Sequence, residues 1–231
     1  MSNPIASLIS VLFQLNYDRG IGANDQGSRF TLNVQPVVPI ELNDNWNLIS
    51  RTIVPLISQS DVIPGSSEDG VGDIVQSFFF SPKEPGAGGL IWGAGPVFLL
   101  PTGGNNLGAD QFAAGVTAVA LKQSGSWTYG ALANHLWDVG GGNTDISSTF
   151  FQPFVSYTTP DAWTFTLNSE TTYDWVNEDT ALPINFTVAK LTQLGGQPVS
   201  IGVGARYWAD STTNGPEGWG ARLILTFLYP R

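Results

Sequence analysis

The feature that most constrains this chain is a repeated pattern in which about ten residues alternate between apolar and polar and then end in a turn. The last repeat, residues 218–229, is the clearest case. One of its faces carries only apolar and aromatic side chains: Trp219, Ala221, Leu223, Leu225, Phe227 and Tyr229. The other face is mixed and carries the charge of Arg222. A period of two is that of a β-strand. Such an apolar face points either at the core of a soluble sheet or at the lipid around a transmembrane barrel.

The repeats predict an all-β fold, a transmembrane antiparallel up-and-down β-barrel of about 12 strands, with residues 1–231 as a single outer-membrane β-barrel domain. The predicted strands are 8–19, 29–41, 46–57, 72–82, 90–101, 112–122, 126–138, 148–158, 162–175, 182–191, 198–209 and 218–229. The connections at 20–28, 58–71, 102–111, 139–147, 176–181 and 210–217 are mostly long, and those between them are mostly short. Long loops at one rim and short turns at the other are typical of bacterial outer-membrane barrels, so this is the predicted location.

Composition narrows the alternatives. Only 12% of the residues are charged, there is no cysteine, and the net charge is −10. The absence of cysteine excludes disulfides and thiolate metal sites. Nucleic acid is not an expected partner, because binding it requires a basic surface. No cofactor and no metal are expected, since one histidine and scattered carboxylates give no recognisable ligand spacing.

The tryptophans form two groups on this strand plan. One group lies at the short-turn ends: Trp46, Trp92, Trp127 and Trp163, with Tyr229 at the same end of the last strand. The other lies at the long-loop ends: Trp137, Trp175 and Trp219. Indole is apolar but has one N–H to hydrate, so the two interfaces of a bilayer select it. A soluble β-sandwich, the alternative fold, would not sort tryptophans in this way.

Six prolines lie inside predicted strands: Pro36, Pro39, Pro55, Pro96, Pro153 and Pro183. Proline cannot donate a hydrogen bond to a ladder, and a closed barrel has no free edge on which to place it. We therefore expect bulges or local breaks in pairing at these positions, and an irregular or oval barrel.

Several long stretches resemble a bacterial outer-membrane family whose members are usually described as transporters. They include DNWNLISRTIVPLI (44–57), GDIVQSFFFSPKEPGAGGLIWGAGPVFLLPT (72–102) and FQPFVSYTTPDAWTFTLNSETTYDW (151–175). The family is related to barrel proteins named for the phenol meta-degradation pathway, and some members carry the mistaken label neuromedin U. The resemblance implies a channel or transporter for small solutes, with hydrophobic or aromatic ones suggested by the family name.

If the apolar faces point at lipid, the alternate residues line the lumen. The predicted lumen or selectivity residues are Arg51, Arg206, Arg222, Glu170, Asp18, Asp174, Lys122, Asn16 and Gln14. Barrel closure would place Arg206, Arg222 and Asp18 on three neighbouring strands, where charges set pore selectivity. The same charges could instead pair and plug a narrow barrel, because an unpaired buried charge is costly. Phe79, Phe150, Phe154 and Trp208 are further inward candidates that would narrow the bore or contact an aromatic solute.

The remaining expectations concern partners and alternative functions. Most of the 19 acidic residues fall in the predicted long loops, where they are solvated, repel anions, or bridge through divalent cations to lipopolysaccharide. The expected partners are the lipid bilayer, lipopolysaccharide, a small solute and, during biogenesis, the barrel assembly machinery. The main alternative is a structural or adhesive barrel with a plugged lumen that acts through its acidic loops. A hydrolase built on the single histidine, His135, is less favoured, because no serine has a sequence context that ties it to His135.

Overall fold

The computed structural model describes residues 8–104, 106–140, 142 and 144–229, which form a closed antiparallel barrel of 12 strands with almost no helix. The segments are β1 Ile9–Ile21, β2 Gly27–Glu41, β3 Trp46–Ser60, β4 Ser67–Val71, β5 Ile74–Pro82, β6 Leu90–Leu100, β7 Phe112–Ser124, β8 Trp127–Gly140, β9 Ser147–Thr158, β10 Trp163–Ser169, β11 Thr171–Asp174, β12 Asp179–Leu194, β13 Gln197–Asp210 and β14 Gly218–Tyr229. A single 3₁₀ turn, Ala87–Gly89, precedes β6. The predicted fold class is confirmed.

The barrel closes between the first and last strands. β1 pairs with β14 from Ile9↔Tyr229 to Tyr17↔Ala221, and every other neighbour follows in chain order. The segments number more than the barrel strands because two strands are interrupted. β4 and β5 both pair with β3, and β10 and β11 both lie between β9 and β12.

In the described part of the chain, no helix is long and apolar enough to cross a membrane.

The strands at the long-loop rim extend further than the pattern predicts. The predicted loop 58–71 is largely sheet, because β3 runs to Ser60 and pairs with β4. Polar side chains link the sheet here: Arg29 donates to Gln59 (2.8 Å), and Gln59 donates to Glu68 (2.7 Å). Beyond the lipid-facing part of the strands, neither face needs to be apolar, so the residues do not alternate between apolar and polar. The sequence pattern therefore cannot predict this extension.

The prolines interrupt the ladder as expected at five of the six positions. Pro36 and Pro96 lie where the β2–β3 and β5–β6 ladders lose their pairing, and the break between β4 and β5 faces Pro55. Pro153 and Pro183 flank the break between β10 and β11 from the two sides, and Pro183 also carries a bulge. Pro39 is the exception, because it pairs with Ile49 within the ladder.

The loop at 101–111, between β6 and β7, is held by Asp73. The Asp73 carboxylate accepts hydrogen bonds from the backbone N–H groups of Gly103 (2.8 Å) and Ala109 (2.6 Å). The same carboxylate lies so close to Gly108 that a Cβ there would sit 2.4 Å from it. The loop is therefore fixed to the rim beside β4 and β5.

The two surfaces of the barrel wall differ in chemistry. The outer surface is apolar and exposed, as at Val116 (60%), Val203 (59%) and Leu223 (54%). An apolar surface of this extent is stable against lipid, and the barrel contacts a bilayer there.

The interior of the barrel has two chemically different sides. One side holds a packed apolar cluster from β3, β5, β7 and β8, and the other side is polar. The cluster consists of Ile49, Phe79, Val119, Leu121 and Leu132.

Candidate functional site in the barrel lumen

Glu170 is the centre of an ion-pair network inside the barrel. Its carboxylate accepts two parallel hydrogen bonds from Arg222, from Nη1 at 2.9 Å and from Nη2 at 2.7 Å. Arg206 Nη2 lies 3.8 Å from the same carboxylate. The Arg222 fork matches the two carboxylate oxygens, which is the strong, geometrically specific form of this interaction. The pair joins β14 to the β10–β11 break and so crosses the polar side of the lumen.

Asp18 forms the second centre of the network. Arg206 Nη1 donates to it at 3.3 Å, and the Trp208 indole Nε1 donates to it at 2.8 Å. The Arg206 guanidinium also lies 4.4 Å from the centroid of the Trp208 ring. Asn16 completes the set by accepting a bond from Arg222 Nε at 2.7 Å. We call Asp18, Glu170, Arg206 and Arg222 the lumen charge cluster.

Strand register brings the cluster together. Asn16 faces Arg222 across the closing β1–β14 ladder, and Arg206 faces Gly220 across the β13–β14 ladder. A Cβ at position 220 would lie 2.4 Å from the Tyr17 carbonyl oxygen and 3.0 Å from Asp18 Oδ1. Glycine at 220 therefore leaves room for the Asp18 carboxylate to reach Arg206.

Glu170 reaches the cluster from the opposite strands because the ladder is broken at its position. Its two neighbouring strands present Pro153 and Pro183 near this point, and neither can donate a ladder hydrogen bond. The Glu170 N–H instead makes a long bond to the Pro183 carbonyl, at 3.4 Å. Because of these prolines, Glu170 lies outside the regular strand pairing, at the level of the barrel where its side chain contacts Arg222.

A cavity of about 300 Å³ lies next to the cluster on the polar side of the lumen. Its lining runs from Ser10, Ser200 and Thr226, near the short-turn ends of their strands, up to Glu170 and Arg222. Gln14 and Arg51 also line it, and Arg51 Nη2 donates to Gln35 at 2.8 Å. The lumen therefore holds a cavity of mixed polar and apolar lining, with the charge cluster at one end.

The structure gathers most of the predicted lumen residues in this region. Asp18, Glu170, Arg206, Arg222 and Asn16 contact one another, and Gln14 and Arg51 line the adjoining cavity. Asp174 does not join them. It ends β11, and its carboxylate accepts hydrogen bonds from the backbone of Val176 (2.9 Å) and from the Asn177 side chain (2.7 Å), so it holds the turn to β12.

Lys122 corrects the prediction, because it faces outward. Its ladder partners are Leu90 and Tyr129, which are 41% and 44% exposed on the outer surface. Cross-strand partners share a face, so Lys122 lies on the lipid side at the short-turn rim. The inward residues of β7 are Val119 and Leu121. Both faces of this strand are apolar, so alternation could not choose between them.

The tryptophans lie at the two ends of the barrel strands, and several form ring pairs. At the short-turn end Trp46 and Trp92 pack edge to face with centroids 5.9 Å apart. At the long-loop end Tyr207 and Trp219 pack at 5.0 Å. Every predicted belt residue except Trp46 is a substantially exposed large side chain; they are Trp92, Trp127, Trp137, Trp163, Trp175, Trp219 and Tyr229.

His135 makes a structural contact network near the long-loop end. Its Nδ1 lies 2.7 Å from the Thr149 hydroxyl, which also accepts a bond from the Trp175 indole at 2.8 Å. The His135 ring packs on Trp137 at 4.2 Å. The Thr149 oxygen is therefore already engaged by two groups. Among the described residues no cluster of His, Cys, Asp or Glu could hold a metal ion.

Comparison with solved structures identifies the class of fold. The chain superposes on an outer membrane channel from Pseudomonas putida F1 with a TM-score of 0.74 at 14% identity, covering 97% of each chain. It also superposes on outer membrane phospholipase A from Escherichia coli with a TM-score of 0.54 at 10% identity, covering 95% of this chain and 96% of that one. No protein-family profile and no curated protein sequence matches the chain. The fold is that of a bacterial outer-membrane β-barrel.

Proposed function

We propose that the chain is a passive outer-membrane channel for small solutes, with its constriction at the lumen charge cluster. The observation that carries the proposal is the cavity of about 300 Å³, which is lined by polar and apolar side chains from the short-turn side up to Arg222 and Glu170. A cavity that ends at paired, opposite charges is the arrangement that sets selectivity in narrow pores. The likeness in fold to an outer membrane channel supports the same role.

The cluster would act as a size and charge filter. Arg222 is 2% exposed, and its partner Glu170 reaches it across the polar side of the lumen, so a solute must pass beside this pair or displace it. The sequence resemblance extends the proposal to hydrophobic or aromatic solutes. Phe150 and Phe154, which line the cavity, support that extension because they give it an apolar wall.

Liposome swelling tests solute passage directly. Vesicles that hold the folded barrel should swell in solutions of small solutes, with a rate that falls steeply as solute size rises. Vesicles without protein provide the leak rate. Swelling no faster than this leak rate, with protein whose gel mobility shows that it is folded, would contradict the channel.

A barrel with a plugged lumen is the second candidate. The pair of parallel hydrogen bonds between Arg222 and Glu170 favours it. Charges that satisfy one another inside a low-dielectric wall can plug a narrow lumen. The protein would then act through its acidic outer loops. This candidate predicts no solute flux in the wild type and none after small changes at the cavity wall.

We also propose how the barrel meets its membrane partners. The aromatic belts would lie at the two interfaces of the outer membrane, with the acidic loops outside. Those loops would bridge to lipopolysaccharide phosphates through divalent cations. Insertion would require the barrel assembly machinery. The sheet must close as it enters the membrane, because unpaired strand edges are not stable in the hydrocarbon core.

A further inference from the structure

We infer that the lumen cavity is a binding site for monoanionic single-ring aromatic carboxylates, which carry a carboxylate at one edge of a flat, apolar ring. This inference rests on the proposed function, because it names the solute class that the cavity would admit. Three features of the cavity carry it: an arginine that forms none of the ion pairs among the described residues, amide groups that form no hydrogen bond with other described side chains, and an aromatic wall.

The cation is Arg51. Its described bond to another side chain is the one from Nη2 to Gln35, at 2.8 Å. It forms none of the ion pairs found among the described residues, whereas Arg206 and Arg222 each pair with a carboxylate. A guanidinium has five N–H donors in a fixed fork that fits a carboxylate. Arg51 lines the cavity and therefore has N–H groups that can donate hydrogen bonds to a ligand bound there.

The charge balance favours an anion. Among the residues that line the cavity, Arg51 and Arg222 are positively charged and Glu170 is negatively charged, which leaves one positive charge in excess. Glu170 is already neutralised by the Arg222 fork. A bound monoanion would balance the excess charge without breaking an existing pair.

Amide side chains supply further polar contacts. Gln14 and Asn33 face each other across the β1–β2 ladder, and Gln152 lies across the cavity on β9. Within the described residues none of these three side chains has a hydrogen-bond partner, and Gln14 is only 8% exposed. Buried polar groups are nearly always satisfied by protein, water or ligand. Their amide groups can therefore form hydrogen bonds with water or with the oxygens of a bound carboxylate.

The aromatic wall comes from the same strand as Gln152. Alternation along β9 places Phe150 and Phe154 on either side of Gln152 and facing the cavity, and Ile53 adds an aliphatic surface. Contacts between aromatic rings stabilise a complex beyond what the buried area alone contributes. The volume of about 300 Å³ lies at the lower limit of ligand pockets, so it suits one ring and excludes a long acyl chain.

Calorimetric titration of the folded barrel in detergent tests the site, with benzoate as the probe. Benzyl alcohol has the same ring without the charge, and acetate has the charge without the ring. Benzoate should bind saturably and about tenfold or more tightly than either one, because tenfold corresponds to about 1.4 kcal/mol, which is near the lower end of what a hydrogen bond to a charged group contributes. Empty micelles give the background heat.

Two variants and one control locate the binding. Arg51→Gln should weaken benzoate binding about tenfold, and Gln152→Leu should weaken it severalfold while leaving the fold intact. Lys122→Gln removes a positive charge from the outer surface and should leave binding unchanged. Equal binding of benzoate and benzyl alcohol by the wild type would overturn the inference, even if Arg51→Gln does not fold. Equal affinity of folded Arg51→Gln would overturn it too.

This test separates the site from the channel. Benzoate binding without solute flux in swelling assays would leave the site standing and refute the channel. Flux without saturable benzoate binding would refute the site and leave the channel standing.

Discussion

At the scale of single residues, the lumen is governed by the need of buried charges for partners. Arg222 is almost fully buried, and it is held by Asn16 and by both oxygens of Glu170. Taking a guanidinium out of water costs several kcal/mol unless such bonds replace its hydration. The groups proposed to set selectivity therefore also hold the structure together.

Glu170→Ala is expected to widen the constriction and to weaken the fold. The variant removes the side chain that crosses the lumen and leaves Arg206 and Arg222 without this carboxylate, which costs about 3–5 kcal/mol of folding free energy. Thermal unfolding of the detergent-folded barrel measures the loss. Glu84→Ala, which removes an exposed carboxylate at the short-turn rim, is the matched control and should leave the midpoint unchanged. Equal midpoints for the two variants would show that the network adds no stability.

Arg222→Ala is expected to shift selectivity towards cations. The substitution removes one positive charge and frees the Glu170 carboxylate to face the lumen. The reversal potential under a salt gradient measures the shift, and Lys122→Gln controls for the loss of one positive charge elsewhere. An unchanged reversal potential in Arg222→Ala would remove this residue from the constriction.

Strict alternation explains which of these residues the sequence could predict. In β1 and β14 one face is almost wholly apolar and the other is mixed, so the inward positions of Asn16, Asp18 and Arg222 follow from parity alone. The partner of Arg222 could not be predicted in the same way. Glu170 comes from a strand interruption on the other side of the lumen, and no local pattern records a distance across the barrel.

At the scale of elements, β7 shows where the sequence pattern stops being informative. Its buried positions hold Val119 and Leu121, and its outer positions hold Val116 and alanines, so both faces are apolar. Two apolar faces leave the register of a strand unspecified by hydropathy. This ambiguity produced the wrong prediction for Lys122, and it kept Val119 and Leu121 out of the predicted inward residues, although Phe79 was among them.

The orientation of β7 predicts a difference between two truncations on the same strand. Leu121→Ala removes a side chain that is 1% exposed within the inner cluster, and should lower the free energy of unfolding by about 2–4 kcal/mol. Val116→Ala changes a side chain that is 60% exposed to lipid, and should cost less than about 1 kcal/mol. Urea unfolding in vesicles measures both. A larger loss for Val116→Ala would mean that the strand is inverted.

The loop at 101–111 depends on one carboxylate. Asp73→Ala removes the acceptor for the Gly103 and Ala109 N–H groups, so the loop should loosen and thermolysin should cut before Leu107 several times faster. Asp69→Ala, at an exposed position of β4, is the matched control and should leave the rate unchanged. Equal cutting rates for Asp73→Ala and the wild type would show that Asp73 does not hold the loop.

At the scale of the whole molecule, closure and the aromatic ends follow from the sequence, whereas the asymmetric interior does not. Twelve strands, an antiparallel order and pairing of the first strand with the last follow from counting turns and requiring that no edge remain. The division of the lumen into a packed apolar side and a polar side with a cavity depends on which strands face each other across the bore. Local periodicity carries no information about that arrangement.

Single-channel recording in planar bilayers tests the central claim, that the charge cluster is the constriction of a narrow pore. The folded wild type should give discrete current steps, and Glu170→Ala should raise the unit conductance about twofold or more while Glu84→Ala leaves it unchanged. Absence of steps in the wild type, or equal step sizes in all three proteins, would contradict the account.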